Sequence, residues 1–305
     1  MSPSAALHDP VFRAYVGLVL GVLVVAGLVL ALLRFVWRAK LGSVWATYRS
    51  WLWMTPLAAL FIFAGRIPFI LGVSALGLLA AREFVGRSDS KIDRWTSMSV
   101  YAGIAAVGMA AIVETGFVAL PGLVLGLLML VPIIRNRVGG AFRGVSLGLL
   151  AFFCTGWMFG HLGLLANSGN AYGYICFLLF ATEVTDVAAF TFGKMLGRHP
   201  LRSEISPRKT WEGACGALLV AMILPWLLHF SFPFFGGREL LLTGLIVGLG
   251  GQLGDLAFSV LKRDLGVKDW SEAIPGHGGV LDRIDSLIFV APLFLVLTTH
   301  YNPGR

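Results

Sequence analysis

Three carboxylates, Glu183, Asp186 and Asp255, stand inside long apolar stretches of this 305-residue chain. A charged side chain at membrane depth costs about 2.5–3.5 kcal/mol on insertion scales, so it normally faces a cavity, a partner or an ion. Asp255, Ser259 and Lys262 follow one another at i, i+4 and i+7. On a helix that spacing puts a carboxylate, a hydroxyl and an ammonium within about 40° of one another. Glu183 and Asp186, three residues apart, share a face in the same way. Several carboxylates in a wet pocket suit a hard cation bound through oxygen, and Mg²⁺ is the usual choice where phosphates complete its shell. The plain alternative is a carboxylate hydrogen-bonded to a neighbouring helix.

The stretch from Ser259 to Asp285 carries the complementary charge. It holds Lys262, Arg263, Lys268 and Asp269, then Pro275-Gly276-His277-Gly278-Gly279, then Asp282, Arg283 and Asp285. Glycines let backbone amides approach an anion closely. The four basic side chains can hold phosphate oxygens, while Asp282 and Asp285, again i and i+3, can return to the metal. A basic loop lying beside anionic lipid headgroups is the blander reading of the Lys and Arg residues alone. An earlier connection contains Ser206-Pro207-Arg208-Lys209. Ser at N-cap and Pro at N1 predict a helix start there, and its N-terminus with Arg208 and Lys209 would be an anion site. His161 and His199 read as structural or interfacial.

The elements that must position these groups are membrane helices. The chain is 57% apolar and 13% charged, against about 45–50% and about 25% in soluble domains. That excludes a soluble enzyme with one large core, a disulfide-stapled secreted domain and a disordered scaffold. Cys154, Cys176 and Cys215 form no CxxC pair, so neither a disulfide framework nor a zinc site is expected. The first apolar run, Ala14 to Leu33, is too long for a signal-peptide core and reads as a retained helix.

Ten spans are predicted near 14–33, 50–65, 67–82, 96–113, 116–134, 144–166, 171–192, 213–232, 240–262 and 284–299. The second and third are short and meet at Gly65 and Arg66, so the expected count is eight to ten. With ten spans, twenty of the 24 Lys and Arg fall on one side, leaving Arg13, Arg66, Arg238 and Arg305 on the other. That asymmetry puts both termini outside and five basic connections in the cytoplasm. The net charge of +8 then reports topology and phosphate groups rather than nucleic acid. The fold class is all-α and polytopic, with an N-terminal scaffold half, 1–166, and a catalytic half, 167–305. The latter contains the cytoplasmic loops 193–212 and 263–283. Compact loops point to a cell inner (plasma) membrane, with the endoplasmic reticulum left open.

Ser259 to Asp285 resembles the signature of the phosphatidate cytidylyltransferases, S-x-[apolar]-K-R-x4-K-D-x-[small]-x2-[apolar]-P-x-H-G-G-[apolar]-x-D-R-[apolar]-D, and matches every fixed position. Asp186-Val-Ala-Ala-Phe and Ile205 to Gly213 are similar to a second stretch of that family, so the likeness covers roughly 175–290. The resemblance implies the reaction CTP + phosphatidate → CDP-diacylglycerol + pyrophosphate, dependent on Mg²⁺. It also implies a metal centre at Asp255 and Asp282, K⁺ as a further candidate ion, an intramembrane funnel and a homodimer.

Such chemistry must neutralise crowded charge and align two phosphates, with little need of a general base. Asp255 and Asp282 are then candidate metal ligands, with Asp186 and Asp285 orienting cations or basic partners. Lys262, Arg263, Lys268 and Arg283 would clamp phosphates, and Ser206, Arg208 and Lys209 would add an anion site. Ser259, Gly278 and Gly279 complete the candidate binding residues. His277 would donate to a phosphate oxygen or stabilise the turn, and Asp269 would pair with Lys268 or Arg263. Two other readings stay open: a CTP-dependent enzyme acting on another lipid, including a polyprenol kinase, and a cation transporter or channel using Glu183, Asp186 and Asp255 as its path.

Overall fold

A computed structural model describes residues 1–35, 42–88 and 92–301. Arg38, Lys40, Lys91 and Arg305 of the charge count lie outside the described residues. A short helix, α1 (Pro3–His8), leads into α2 (Pro10–Phe35), α3 (Gly42–Ala64), α4 (Arg66–Arg87) and α5 (Arg94–Val113). Next come α6 (Phe117–Ile134), α7 (Ala141–Asn167) and α8 (Ala171–Leu196). A hairpin of β1 (Pro200–Arg202) and β2 (Ser206–Thr210) precedes α9 (Trp211–Leu227), α10 (Gly237–Asp264) and α11 (Leu281–Tyr301).

Seven of these, α2, α4, α5, α6, α7, α8 and α10, are long and apolar enough to cross a membrane. α9 is a shorter apolar helix, while α3 and α11 run for 23 and 21 residues. The polytopic helical architecture follows from apolar runs that satisfy every backbone polar group internally. The stretches expected at 50–65 and 67–82 are two full helices meeting at Gly65.

The sequence expectation fails at Ser206. Instead of starting a helix, Ser206 opens β2, which pairs antiparallel with β1 in the register Pro200↔Thr210 and Arg202↔Ser206. Strand pairing satisfies the backbone there, so the Ser-Pro pair is not needed as a cap, and among the described residues this hairpin is the only pair of strands in an otherwise helical fold. The cap belongs to Thr210, whose hydroxyl accepts the Gly213 amide at 3.1 Å. Thr210→Ala is therefore expected to cost about 1 kcal/mol, seen as a lower thermal midpoint in detergent.

Two π-helical turns, Phe152–Met158 in α7 and Ile246–Gly250 in α10, interrupt the regular ladder. The second lies one turn before Asp255, so it sets the rotation of the face that carries Asp255, Ser259 and Lys262. At the opposite end of the bundle, fully buried Phe177, Phe232 and Phe294 pack as one aromatic cluster. That cluster fastens α8 to α11 and leaves their other ends to frame the polar site.

Candidate functional site

Asp186 from α8, Asp255 and Lys262 from α10, Asp269 and His277 from the following loop, and Asp282, Arg283 and Asp285 from α11 line one cavity of about 150 Å³. The helical spacing behaves as expected: Ser259 Oγ donates to Asp255 Oδ1 at 3.3 Å. Lys209 reaches across from β2 to Asp255 Oδ2. Lys262 turns the other way and donates to Asp282 Oδ1 at 2.7 Å, both side chains being almost fully buried. Glu183 shares the face of Asp186 but is not part of the lining.

The glycine loop wraps the protein's own carboxylates. Asp282 Oδ2 accepts the amides of Trp270 at 3.0 Å and Gly279 at 2.8 Å, the latter reaching back three residues as in half of a capping box. The Gly279 amide is thus engaged within the protein, whereas the sequence reading offers it to a ligand. Glu83 of α4 takes the donors on the other side: Ser271 Oγ at 2.6 Å and Val280 N at 3.0 Å on Oε1, and Leu281 N at 2.8 Å on Oε2. A Cβ on Gly279 would lie 2.5 Å from Glu83 Oε2. Ser50 of α3 donates to the Pro275 carbonyl at 2.6 Å, and Trp51 meets the His277 ring edge-on at 5.8 Å. Arg87 Nε donates to the Trp270 carbonyl at 2.8 Å.

None of Glu83, Arg87, Ser50 and Trp51 is picked out by the sequence reading. Charged residues at the end of an apolar run read as interfacial, and no local spacing ties them to a loop almost two hundred residues away.

Two polar atoms lining this region, Arg283 Nε and His277 Nδ1, are buried without a partner among the described residues. Burial first, and then the neighbouring Arg283 charge, hold the His277 imidazole below its ordinary range. The imidazole is thereby held toward its neutral form, which carries a single N–H donor.

The carboxylates are less fully matched. Among the described residues the Asp186 carboxylate and Asp285 Oδ2 have no protein donor, although Asp285 Oδ1 accepts the Ser286 amide at 2.8 Å. Asp186, Asp255 and Asp285 line the same cavity. No three His, Cys, Asp or Glu side chains among the described residues already converge on one metal position. The donor set still fits a hard cation, since Asp186 and Asp285 present carboxylate oxygens without protein donors to this cavity.

The sequence pattern of the cytidylyltransferase family matches residues 45–301. The chain belongs to this family. It is 33% identical over 264 residues to the phosphatidate cytidylyltransferase of Staphylococcus aureus (strain COL), covering 80% of this chain and 96% of that one. Over 268 residues it is 30% identical to the uncharacterized protein YnbB of Escherichia coli (strain K12), covering 85% and 89%. A shorter match, 38% over 164 residues, covers 53% of this chain and 62% of the phosphatidate cytidylyltransferase of Staphylococcus haemolyticus (strain JCSC1435). The family match begins in α3, well ahead of the signature, and so takes in Ser50, Trp51, Glu83 and Arg87.

In this cytidylyltransferase-family chain the remaining candidates sit outside the cavity lining. Arg263 donates to the carbonyls of Ile205 at 3.2 Å and Val267 at 3.1 Å, tying the hairpin to the end of α10. Lys268, one of the two partners the sequence leaves open for Asp269, stands 3.9 Å from it, with both side chains largely exposed. Arg208 is exposed on β2 beside half-buried Ser206. Gly278 adopts φ +79° and its carbonyl accepts the Ile274 amide at 2.8 Å, which closes the turn that presents His277.

Proposed function

We propose that the protein transfers a cytidylyl group from CTP to phosphatidate, giving CDP-diacylglycerol and pyrophosphate. The observation that carries this reading is a single cavity in which Arg283 Nε and His277 Nδ1 have no partner among the described residues, beside Asp186 and Asp285. It lies in a chain similar over most of its length to a phosphatidate cytidylyltransferase. A phosphate oxygen of the lipid attacks the α-phosphorus of CTP; that P–O bond forms as the bond to the β-phosphate oxygen breaks, and its electron pair leaves on pyrophosphate.

The chain's residues supply charge and alignment. Arg283 and His277 donate to phosphate oxygens. Lys209 and Lys262, held by Asp255 and Asp282, stand within reach of the same anions. Mg²⁺ would be held through Asp186 and Asp285, whose oxygens lack protein donors, and through Asp255 and Asp282 once Lys209 and Lys262 turn to phosphate; it would neutralise triphosphate charge, and K⁺ is a further candidate at the same centre.

The basic connections support ten spans with the cavity facing the cytoplasm, and the compact loops support a cell inner membrane. A homodimer belongs to the same reading through the family resemblance.

The test uses purified protein in detergent with phosphatidate, Mg²⁺ and CTP labelled at the α-phosphate. Label should enter the lipid phase as pyrophosphate is released, and Asp282→Asn should lower the rate by about 10²–10³-fold while remaining folded. Release of CDP in place of pyrophosphate would identify a kinase. Label entering only a different lipid acid would replace phosphatidate as the acceptor, and substrate-free ion flux in proteoliposomes would favour transport.

A further inference from the structure

Glu83 is the one acidic side chain through which the N-terminal helices hold the signature loop among the described residues, and it does so at both ends of that loop. Ser271 lies near its beginning; Val280 and Leu281 lie where it becomes α11. The amides of Val280 and Leu281 belong to a helix start, where the first N–H groups have no partner inside the helix. A neighbouring Ser, Thr or Asp usually accepts such donors. Here a carboxylate from another helix does so, at the positive end of the α11 dipole.

The next two residues are Asp282 and Arg283, both in the cavity lining, whereas Glu83 is not. The surrounding contacts give the turn little freedom to shift around a lost carboxylate. Phe84 stacks on Trp270 at 5.3 Å, and Arg87 donates to the Trp270 carbonyl. Gly279 lies directly against Glu83 with no room for a methyl group.

We propose that Glu83 is a positioning residue for the transfer reaction: its carboxylate fixes the first turn of α11 and thereby the placement of Asp282 and Arg283. This inference rests on the cytidylyl-transfer reading. Glu83→Gln is nearly isosteric, but its amide group would oppose one of the two backbone donors. Ser271→Ala removes one donor of three and leaves both amide contacts.

The experiment measures kcat, KM for phosphatidate and hydrogen exchange at Val280 and Leu281 in the parent, Glu83→Gln, Glu83→Asp and Ser271→Ala. For Glu83→Gln, kcat should fall on the order of 10- to 100-fold, KM should hardly move, and both amides should exchange faster. Ser271→Ala should lose much less. Glu83→Asp, which keeps the charge on a shorter arm, should fall between them and serves if the Gln variant does not fold.

Faster exchange with the parent's kcat would reduce Glu83 to a structural cap, and unchanged exchange would show that it does not hold the turn; either overturns the proposal. A parent that labels no lipid overturns the reaction instead. Because the exchange comparison needs no substrate, it still decides whether Glu83 fixes the turn.

Discussion

Lys262→Met is expected to abolish measurable cytidylyl transfer and to destabilise the protein by about 3 kcal/mol, near the lower end of the cost of stranding a buried charge. Lys262 and Asp282 are each 8% exposed and meet at 2.7 Å. Removing the ammonium leaves the Asp282 carboxylate with only the Trp270 and Gly279 amides. Those two donors keep the loss below that of a wholly unpaired charge, and the methionine stem preserves most of the packing.

Pairing Lys262→Met with Asp282→Asn removes both charges and separates two consequences. The thermal midpoint of the double variant should recover toward the parent's, because no net charge remains stranded. Turnover should stay lost, because the site has given up a cationic and an anionic group together. A single Lys262→Met variant as stable as the parent would show that water reaches this pair.

How much of this site could be read from the chain depends on the range over which each contact acts. Asp255 and Ser259 are one helical turn apart, so their meeting follows from spacing alone once the segment is known to be helical. Lys262 lies on the same stripe, yet its partner is Asp282, twenty residues on. Which carboxylate it chooses depends on how α11 returns against α10. Ser206-Pro207 shows the opposite failure: the local signal for a helix start is real but weak, and pairing with Arg202 overrides it.

Glu83 lies beyond both kinds of inference. Beside Arg82 and Arg87 it looks like one more charge at a membrane boundary, and only the packed structure reveals the amides it accepts. The glycines are legible as a site of close approach to an anion. That one of those anions is Glu83 is not, because it depends on α4 packing beside the loop.

Gly279→Ala should therefore be among the most damaging small substitutions in the protein, lowering turnover by about 10²-fold. The new Cβ would stand 2.5 Å from Glu83 Oε2 and 2.8 Å from both Cδ and Oε1. No rotation of one flexible atom relieves such an overlap, since the whole carboxylate is held by Ser271, Val280 and Leu281. Either Glu83 leaves its amides or the loop lifts from α4, and each outcome moves the Gly279 amide that Asp282 accepts.

The control is Gly266→Ala. Gly266 has φ +70° with nothing within 4 Å of the place a methyl group would take, so its cost is the left-handed backbone, about 1–2 kcal/mol, with turnover retained. Gly139→Ala, free of both constraints, should be silent. Shortening the obstructing side chain in a Gly279→Ala/Glu83→Asp double variant should recover part of the lost turnover if collision with Glu83 is the cause. Turnover no better than in Gly279→Ala alone would place the damage in the glycine turn itself, and parent-like turnover in Gly279→Ala would mean the loop does not rest on α4 during the reaction.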